Sequence, residues 1–142
     1  MGAITGKVWG TTTEIFKTPV TELHRLEVNR GTRCSTHKHE HKYNGFYVER
    51  GVLHIHVMKN DYALEDVTVL KAGDHMIVEP GEFHCFECPA ASIDGTESYS
   101  PTIAYEAYWP ALLGKDIIRI DVGGKILPPC GTIFTKDSDE TN

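Results

Sequence analysis

The sequence predicts an all-β domain, a small barrel or sandwich of short strands. Three observations carry that prediction. Apolar and polar residues alternate in runs of a few residues, the period of a half-buried strand. Gly, Pro and Asn punctuate those runs at short intervals, as in sandwiches and barrels. No helical period persists for three turns anywhere in the chain.

In chain order, Thr13 to Lys17 and Leu23 to Val28 alternate as strands do, and Asn29, Arg30 and Gly31 signal a turn. Phe46, Tyr47 and Val48 are aromatic and β-branched, the types enriched in strands. Gly51 ends that run. Val52 to Met58 resumes it, with Leu53, Ile55 and Val57 on one side and His54 and His56 on the other. Lys59, Asn60 and Asp61 form the next turn. Val67 to Leu70, Met76 to Val78 and Phe83 to Cys88 are further strands. Pro89 to Thr102, rich in small and polar residues, is expected to be a surface loop. Ala111 to Leu113 has room for only a short helix between Pro110 and Gly114. Val122 to Gly131 and the end from Lys136 to Asn142 are expected to fray. Phe46, Tyr47, Phe83 and Phe86 are expected to fill the core.

A chain of 142 residues predicts a single domain, with a core over about residues 8–121 and a tail over 122–142. The net charge of -6 argues against a nucleic-acid partner, which selects for basic surfaces. No apolar run approaches the roughly 20 residues that a membrane helix needs. Met1 to Gly10 lacks the apolar stretch of a signal peptide, and Gly6 stands where a myristoylation signal has Ser or Thr. A cytoplasmic location is the expectation. Cys34, Cys85, Cys88 and Cys130 are then expected as reduced thiols. Cys85 and Cys88 form a lone CxxC whose sulfurs fall on opposite faces of a strand, so ordinary burial is favoured over a structural zinc site.

The chemistry concentrates in two segments. The first runs Gly31, five residues, His37-Lys38-His39, four residues, Asn44, six residues, Gly51. The second runs from Gly73 to Glu79-Pro80-Gly81-Glu82-Phe83-His84. His37 and His39, two apart, share a face, because side chains of extended chain alternate. His84 follows a Pro-Gly turn on a later strand and can meet them inside a barrel. Three neutral imidazoles suit zinc, iron, nickel or copper and disfavour magnesium and calcium. Such an ion keeps open positions for water and substrate. Asn44 offers a neutral amide oxygen, a weak ligand. His41 continues the alternation as a fourth ligand, a support for the ligands or a proton-transfer group.

These segments resemble the two cupin motifs. In the first, Asn44 stands where cupins have Glu. In the second, Gly73, Gly81 and His84 match, while Glu79 replaces a Pro and Cys88 an Asn. The resemblance implies the cupin fold, a double-stranded β-helix or jelly-roll barrel. A narrower resemblance covers roughly residues 8–121. Val8-Trp9-Gly10 is similar to the opening of the cupin domain in mannose-6-phosphate isomerases of the bifunctional, guanylyltransferase-linked type. Gly114 to Asp121 is similar to that domain's ending. That family has Gln at the place of His37, His at His39 and Glu at Asn44. Lys42 takes the place of an Arg implicated in isomerisation. Many small cupins also pair through sheet edges, so a homodimer is implied.

The leading functional expectation is a metal-dependent isomerase or epimerase of a sugar or sugar phosphate, with zinc, iron, nickel or manganese as cofactor. Isomerisation moves a proton between adjacent carbons. It needs a base and a positive group for the developing oxyanion. His37, His39, His84 and Asn44 would hold the ion, and Lys42 and His41 would serve catalysis. Glu49, Glu79 and Glu82 are candidate bases by proximity in sequence alone. A three-histidine iron dioxygenase and a non-catalytic sugar-binding module are the alternatives. Of the remaining residues, His54 and His56 are expected on an exposed or interface face, with a second site as the alternative. Tyr105, Tyr108 and Trp109 suit either a sugar site or core packing. Arg119 suits a phosphate contact or open surface. His75 is expected at a strand start, and His24 has no assigned role.

Overall fold

The computed structural model describes residues 2–59, 64–90, 101–110, 122, 123 and 125. The chain groups into Met1–Ala111 and Leu112–Asn142. Of the second unit only Val122, Gly123 and Lys125 are described. The expected helix at Ala111, the rest of the tail, Arg119, Cys130 and the middle of the Pro89 to Thr102 loop lie outside the described residues, as do Asn60 and Asp61.

Ten strands and no helix are found among the described residues. They are β1 (Ile4–Lys7), β2 (Gly10–Lys17), β3 (Glu22–Val28), β4 (Thr32–Arg33), β5 (Tyr43–Arg50), β6 (Val52–Met58), β7 (Glu65–Lys71), β8 (His75–Val78), β9 (His84–Cys88) and β10 (Thr102–Trp109). Two antiparallel sheets form, in the orders β1-β2-β3-β10-β5-β8 and β4-β9-β6-β7. The alternation predicted a barrel or sandwich, and the resemblance implied the jelly roll that these two sheets form.

The inner faces meet in one core of Trp9, Leu26, Val28, Phe46, Val48, Leu53, Ile55, Val57, Leu70, Val78 and Phe86. Leu53, Ile55 and Val57 are fully enclosed because they occupy alternate positions of β6. Gly51 joins β5 to β6 at φ +89°, where any Cβ would lie 2.5 Å from Thr102 Oγ1. The motif glycine is thus a steric requirement of the turn.

Four expectations need correction. Thr102 does not belong to a loop. It opens β10, fully buried, accepting a hydrogen bond from the Val52 amide at 3.2 Å and donating to the Val52 carbonyl at 2.9 Å. Strand β10, not anticipated, sits between β3 and β5 in the larger sheet. Its inward set is Ala104, Glu106 and Tyr108, so a carboxylate interrupts the apolar alternation that would have marked it. Tyr47 and Phe83 are not core: they are 46% and 45% exposed. Tyr47 falls between the inward Phe46 and Val48. Phe83 precedes β9 and lies under the Lys38 ammonium, 4.9 Å from the ring centroid. His54 is not on an exposed face, being 1% accessible.

Candidate metal centre

The site begins with an isolated bridge between the 34–42 segment and β9. His37 N–H donates to the His84 carbonyl at 3.0 Å, and His84 N–H donates to the His37 carbonyl at 2.8 Å. Two residues on, the Gly81 amide donates to the His39 carbonyl at 2.8 Å. The Pro80-Gly81 turn therefore clamps the His37-Lys38-His39 segment in register with His84. The rings converge, with centroids 5.2 Å apart for His37 and His39, 4.8 Å for His37 and His84, and 5.7 Å for His39 and His84. One nitrogen from each ring lies within 4.8 Å of the other two.

Hydrogen bonds settle which nitrogens face inward. His37 Nδ1 is 2.8 Å from the Ser35 carbonyl, and His84 Nδ1 is 2.9 Å from the Glu82 carbonyl. A carbonyl only accepts, so both Nδ1 atoms carry the proton. The neutral rings then present bare Nε2 lone pairs, as metal-ligating histidines do when their other nitrogen is anchored. His39 Nε2 is buried and makes no hydrogen bond. Asn44, 1% exposed, places Oδ1 2.8 Å from His84 Nε2. Its Nδ2 donates to Glu106 Oε2 and to the Ala107 carbonyl, each at 3.3 Å. Those two acceptors orient the amide with its oxygen toward the histidines. Two lone pairs that face each other at this distance repel unless a cation or proton lies between them. The donor set of three imidazoles and one amide oxygen therefore fits a divalent transition metal.

Burial favours the neutral form of His39 and His84. Desolvation lowers the affinity of His39 for a proton, aided by His37, His84 and Lys42. Desolvation also lowers that of His84, against the Glu82 carbonyl. Neutral imidazole is the metal-binding form.

Behind the amide lies Glu106, 7% exposed. Burial raises its pKa, opposed by hydrogen bonds from Tyr108 and Asn44. Burial and the neighbouring Glu106 raise that of Tyr108. The Tyr108 ring meets His39 edge to face, centroids 4.9 Å apart. Glu106, Tyr108, His37, His24, Trp9 and Cys34 share the wall of a cavity of about 570 Å³, within the size range of small-molecule sites. Burial pushes the Cys34 thiol up to about 12, so it lines that wall as a neutral group.

The structure thus brings His37, His39, His84 and Asn44 together. His41 and Lys42 precede β5 and are exposed. His37, His39 and His84 form a group able to share one ion, and His41 is not part of it. Lys42 lines a smaller hollow of about 120 Å³ with Lys17, Glu22 and Tyr108. Of the carboxylates near in sequence, Glu49 and Glu82 are engaged elsewhere. Glu49 accepts from Tyr105 on the outer surface, and Glu82 caps its own turn while pairing with Lys59. The buried carboxylate at the site is Glu106, which sequence reasoning missed along with His24. The Glu106↔His24 and Glu106↔Phe46 pairings across β10 put both in the barrel wall. Of the aromatic group, Tyr108 lines the site, while Trp109 stacks on Tyr43 at 5.9 Å.

Comparisons with known proteins agree with this geometry. Residues 24–93 match the profile of the cupin domain family. No curated protein sequence matches the chain. Among solved structures, KdgF from Halomonas sp. is similar at TM-score 0.58 and 14% identity, over 78% of this chain and 89% of that one. An RmlC-like cupin from Shewanella frigidimarina is similar at TM-score 0.57 and 21% identity, over 78% and 85%. An oxalate decarboxylase from Bacillus subtilis is similar at TM-score 0.61 and 10% identity, over 77% of this chain and 27% of that one. Jelly-roll topology and the similar solved structures show the cupin fold, and the cupin domain model matches the segment that carries His37, His39, Asn44 and His84.

Proposed function

We propose that this cupin is a metal-dependent isomerase or epimerase of a sugar or sugar phosphate. His37, His39 and His84 hold a divalent transition metal with Asn44, and Glu106 moves the proton. The observation that carries the reading is Glu106. It is a buried carboxyl in the cavity wall beside His37, one hydrogen bond from Asn44.

The ion, when bound, supplies positive charge that polarises a substrate carbonyl or hydroxyl. Glu106 takes a proton from one substrate carbon and returns it to the neighbouring carbon, which is general base and then general acid catalysis. Its raised proton affinity suits both halves of that exchange. The Tyr108 hydroxyl and the Asn44 amide hold the carboxyl in place. Trp9 and Phe86, packed edge to face at 4.9 Å, supply the aromatic part of the cavity wall. Lys42, beside Tyr108 at the smaller hollow, serves as the cationic anchor for a substrate phosphate. The reading includes a cytoplasmic homodimer, with exposed β1 at the open edge of the larger sheet as the pairing element.

A second reading, the iron dioxygenase, is favoured by the donor set of His37, His39, His84 and Asn44, in which no carboxylate takes part among the described residues. One experiment separates them. The protein is loaded in turn with manganese, zinc, nickel and iron and incubated with aldoses, ketoses and their phosphates in D₂O. Proton NMR then follows exchange at the carbon beside the carbonyl. The isomerase reading expects deuterium incorporation with aldose–ketose or epimer exchange, lost roughly 100-fold or more in Glu106→Gln at unchanged metal content. Oxygen uptake with iron and no exchange would establish the dioxygenase instead. Sugar-induced thermal stabilisation with neither reaction would reduce the site to a binding module.

A further inference from the structure

The smaller sheet carries a second constellation on its outer face, pointing away from the barrel cavity. His54 and His56 stand two apart on β6, opposite in phase to the core residues Leu53, Ile55 and Val57. Glu87 on β9 pairs directly with His54, and it alternates with the inward His84 and Phe86. His54 Nδ1 is 3.4 Å and His56 Nε2 2.9 Å from the same oxygen, Glu87 Oε1. The three potential ligand atoms lie within 4.8 Å of one another.

The tautomer of His56 decides what this cluster is for. Its Nδ1 lies 3.3 Å from Glu65 Oε2 on β7. A carboxylate accepts, so Nδ1 carries the proton, and Nε2 is the nitrogen left to offer a lone pair to a cation. That lone pair is buried and makes no hydrogen bond, although Glu87 Oε1 is only 2.9 Å away. A cation seated between them would be met by the ring nitrogen and the carboxylate oxygen together. Glu65 plays the part that backbone carbonyls play for His37 and His84, fixing the ring with its ligating nitrogen inward. The histidines also sit in a low-polarity frame. Val67 and Val69 of β7 stand across from His56 and His54, and buried Cys85 faces His56 from β9.

From this geometry we infer a second metal site, in which His54, His56 and Glu87 bind a zinc-type divalent ion on the outside of the barrel. Two imidazoles and one carboxylate are a standard zinc donor set. The site bridges β6 and β9, and β9 also carries His84. Its ion therefore fastens together the two strands that form the floor beneath the inner site. It is independent of the inner ligands and of any reaction there.

The test uses the full chain and zinc alone. Metal-free protein is dialysed against Zn(II) and the bound metal is counted, for the parent protein, for His37→Ala/His39→Ala and for His56→Ala. The expected counts are two ions per chain for the parent and one for each variant. Glu87→Gln, which keeps the size of the side chain, is expected to weaken the outer ion at least tenfold in a competing-chelator titration. In the His37→Ala/His39→Ala background, further replacement of His56 is expected to abolish binding. No zinc in the His37→Ala/His39→Ala protein, with circular dichroism unchanged, would overturn the outer site. Equal zinc retention by that protein and its His56→Ala derivative would overturn it too. Loss of only the inner ion leaves the outer count at one, so failure at one site is not mistaken for failure at the other.

Discussion

His84 Nε2 and Asn44 Oδ1 face each other at 2.8 Å, both as electron-pair donors. The Glu82 carbonyl takes the only proton of the neutral His84 ring, and Glu106 with Ala107 takes the amide protons of Asn44. The pair is arranged to share a positive partner.

That arrangement makes Asn44→Glu informative. An anionic oxygen in place of the amide oxygen strengthens the hold on a divalent ion, so metal loss to excess chelator should slow by about tenfold or more. The same change removes a hydrogen-bond donor from Glu106 and sets a second carboxylate against it. Two carboxylates at that distance share a proton, so Glu106 stays protonated to higher pH. The variant should therefore gain metal retention while its activity at neutral pH falls. Chelator-release kinetics and exchange assays read the two effects separately. Unchanged metal retention would show that the side chain at position 44 does not reach the ion.

Metal-free protein should lose stability on mild acidification. His39 and His84 have folded-state pKa values below the ordinary 6.5. The unfolded chain then binds more protons in that range, so stability rises with pH. The contribution is in place above about pH 6.5 and drains away as pH falls through the lowered values. Urea titrations of the chelator-treated protein between pH 5 and 8 should show a falling midpoint toward acid. His39→Gln, which cannot titrate, should flatten part of that slope. A midpoint constant across this window would contradict the burial assigned to these rings.

Gly51→Ala should destabilise the barrel by about 2 kcal/mol or more, through positive φ and steric overlap. The added methyl would meet Thr102 Oγ1 at 2.5 Å and Thr102 Cα at 3.1 Å. Thr102 cannot retreat, because its hydroxyl closes both polar groups of Val52. Thermal unfolding monitored by circular dichroism measures the loss. A neutral effect would mean that the β5–β6 turn relaxes at no cost.

The legible parts of this fold were those where one physical rule acted alone. Strands β5, β6 and β9 alternate cleanly, and Gly51 and Gly81 mark turns that need positive φ. His37, His39 and His84 announced themselves because ligand spacing on extended chain is a local property. Strand β10 was invisible because its inward positions hold Ala104, Glu106 and Tyr108, two of them polar, placed there by the site and not by the core. Glu106 lies 62 positions from Asn44, so only the pairing of β10 with β5 reveals it. His54 was expected on an exposed or interface face, and its exposure was misjudged because periodicity gives the face of a residue but not what encloses it.

Tyr108→Phe tests whether Glu106 works as an acid–base group or only as a buried hydrogen-bond partner. The Tyr108 hydroxyl donates to the carboxylate and holds its pKa down against the upward push of burial. Removing the hydroxyl leaves burial less opposed, so the proton affinity of Glu106 rises further. If ionised Glu106 starts the reaction, the acidic limb of the kcat/KM profile must move to higher pH in the variant. Activity at pH 7 should drop more than activity at pH 9, where the carboxyl regains its charge. Metal content should stay the same, because Tyr108 meets His39 through its ring face and edge, which Phe retains. A purely structural role would scale the whole profile down without moving its limb. Recording kcat/KM from pH 5 to 9 for both proteins distinguishes these outcomes, and an unshifted limb would remove Glu106 from proton transfer.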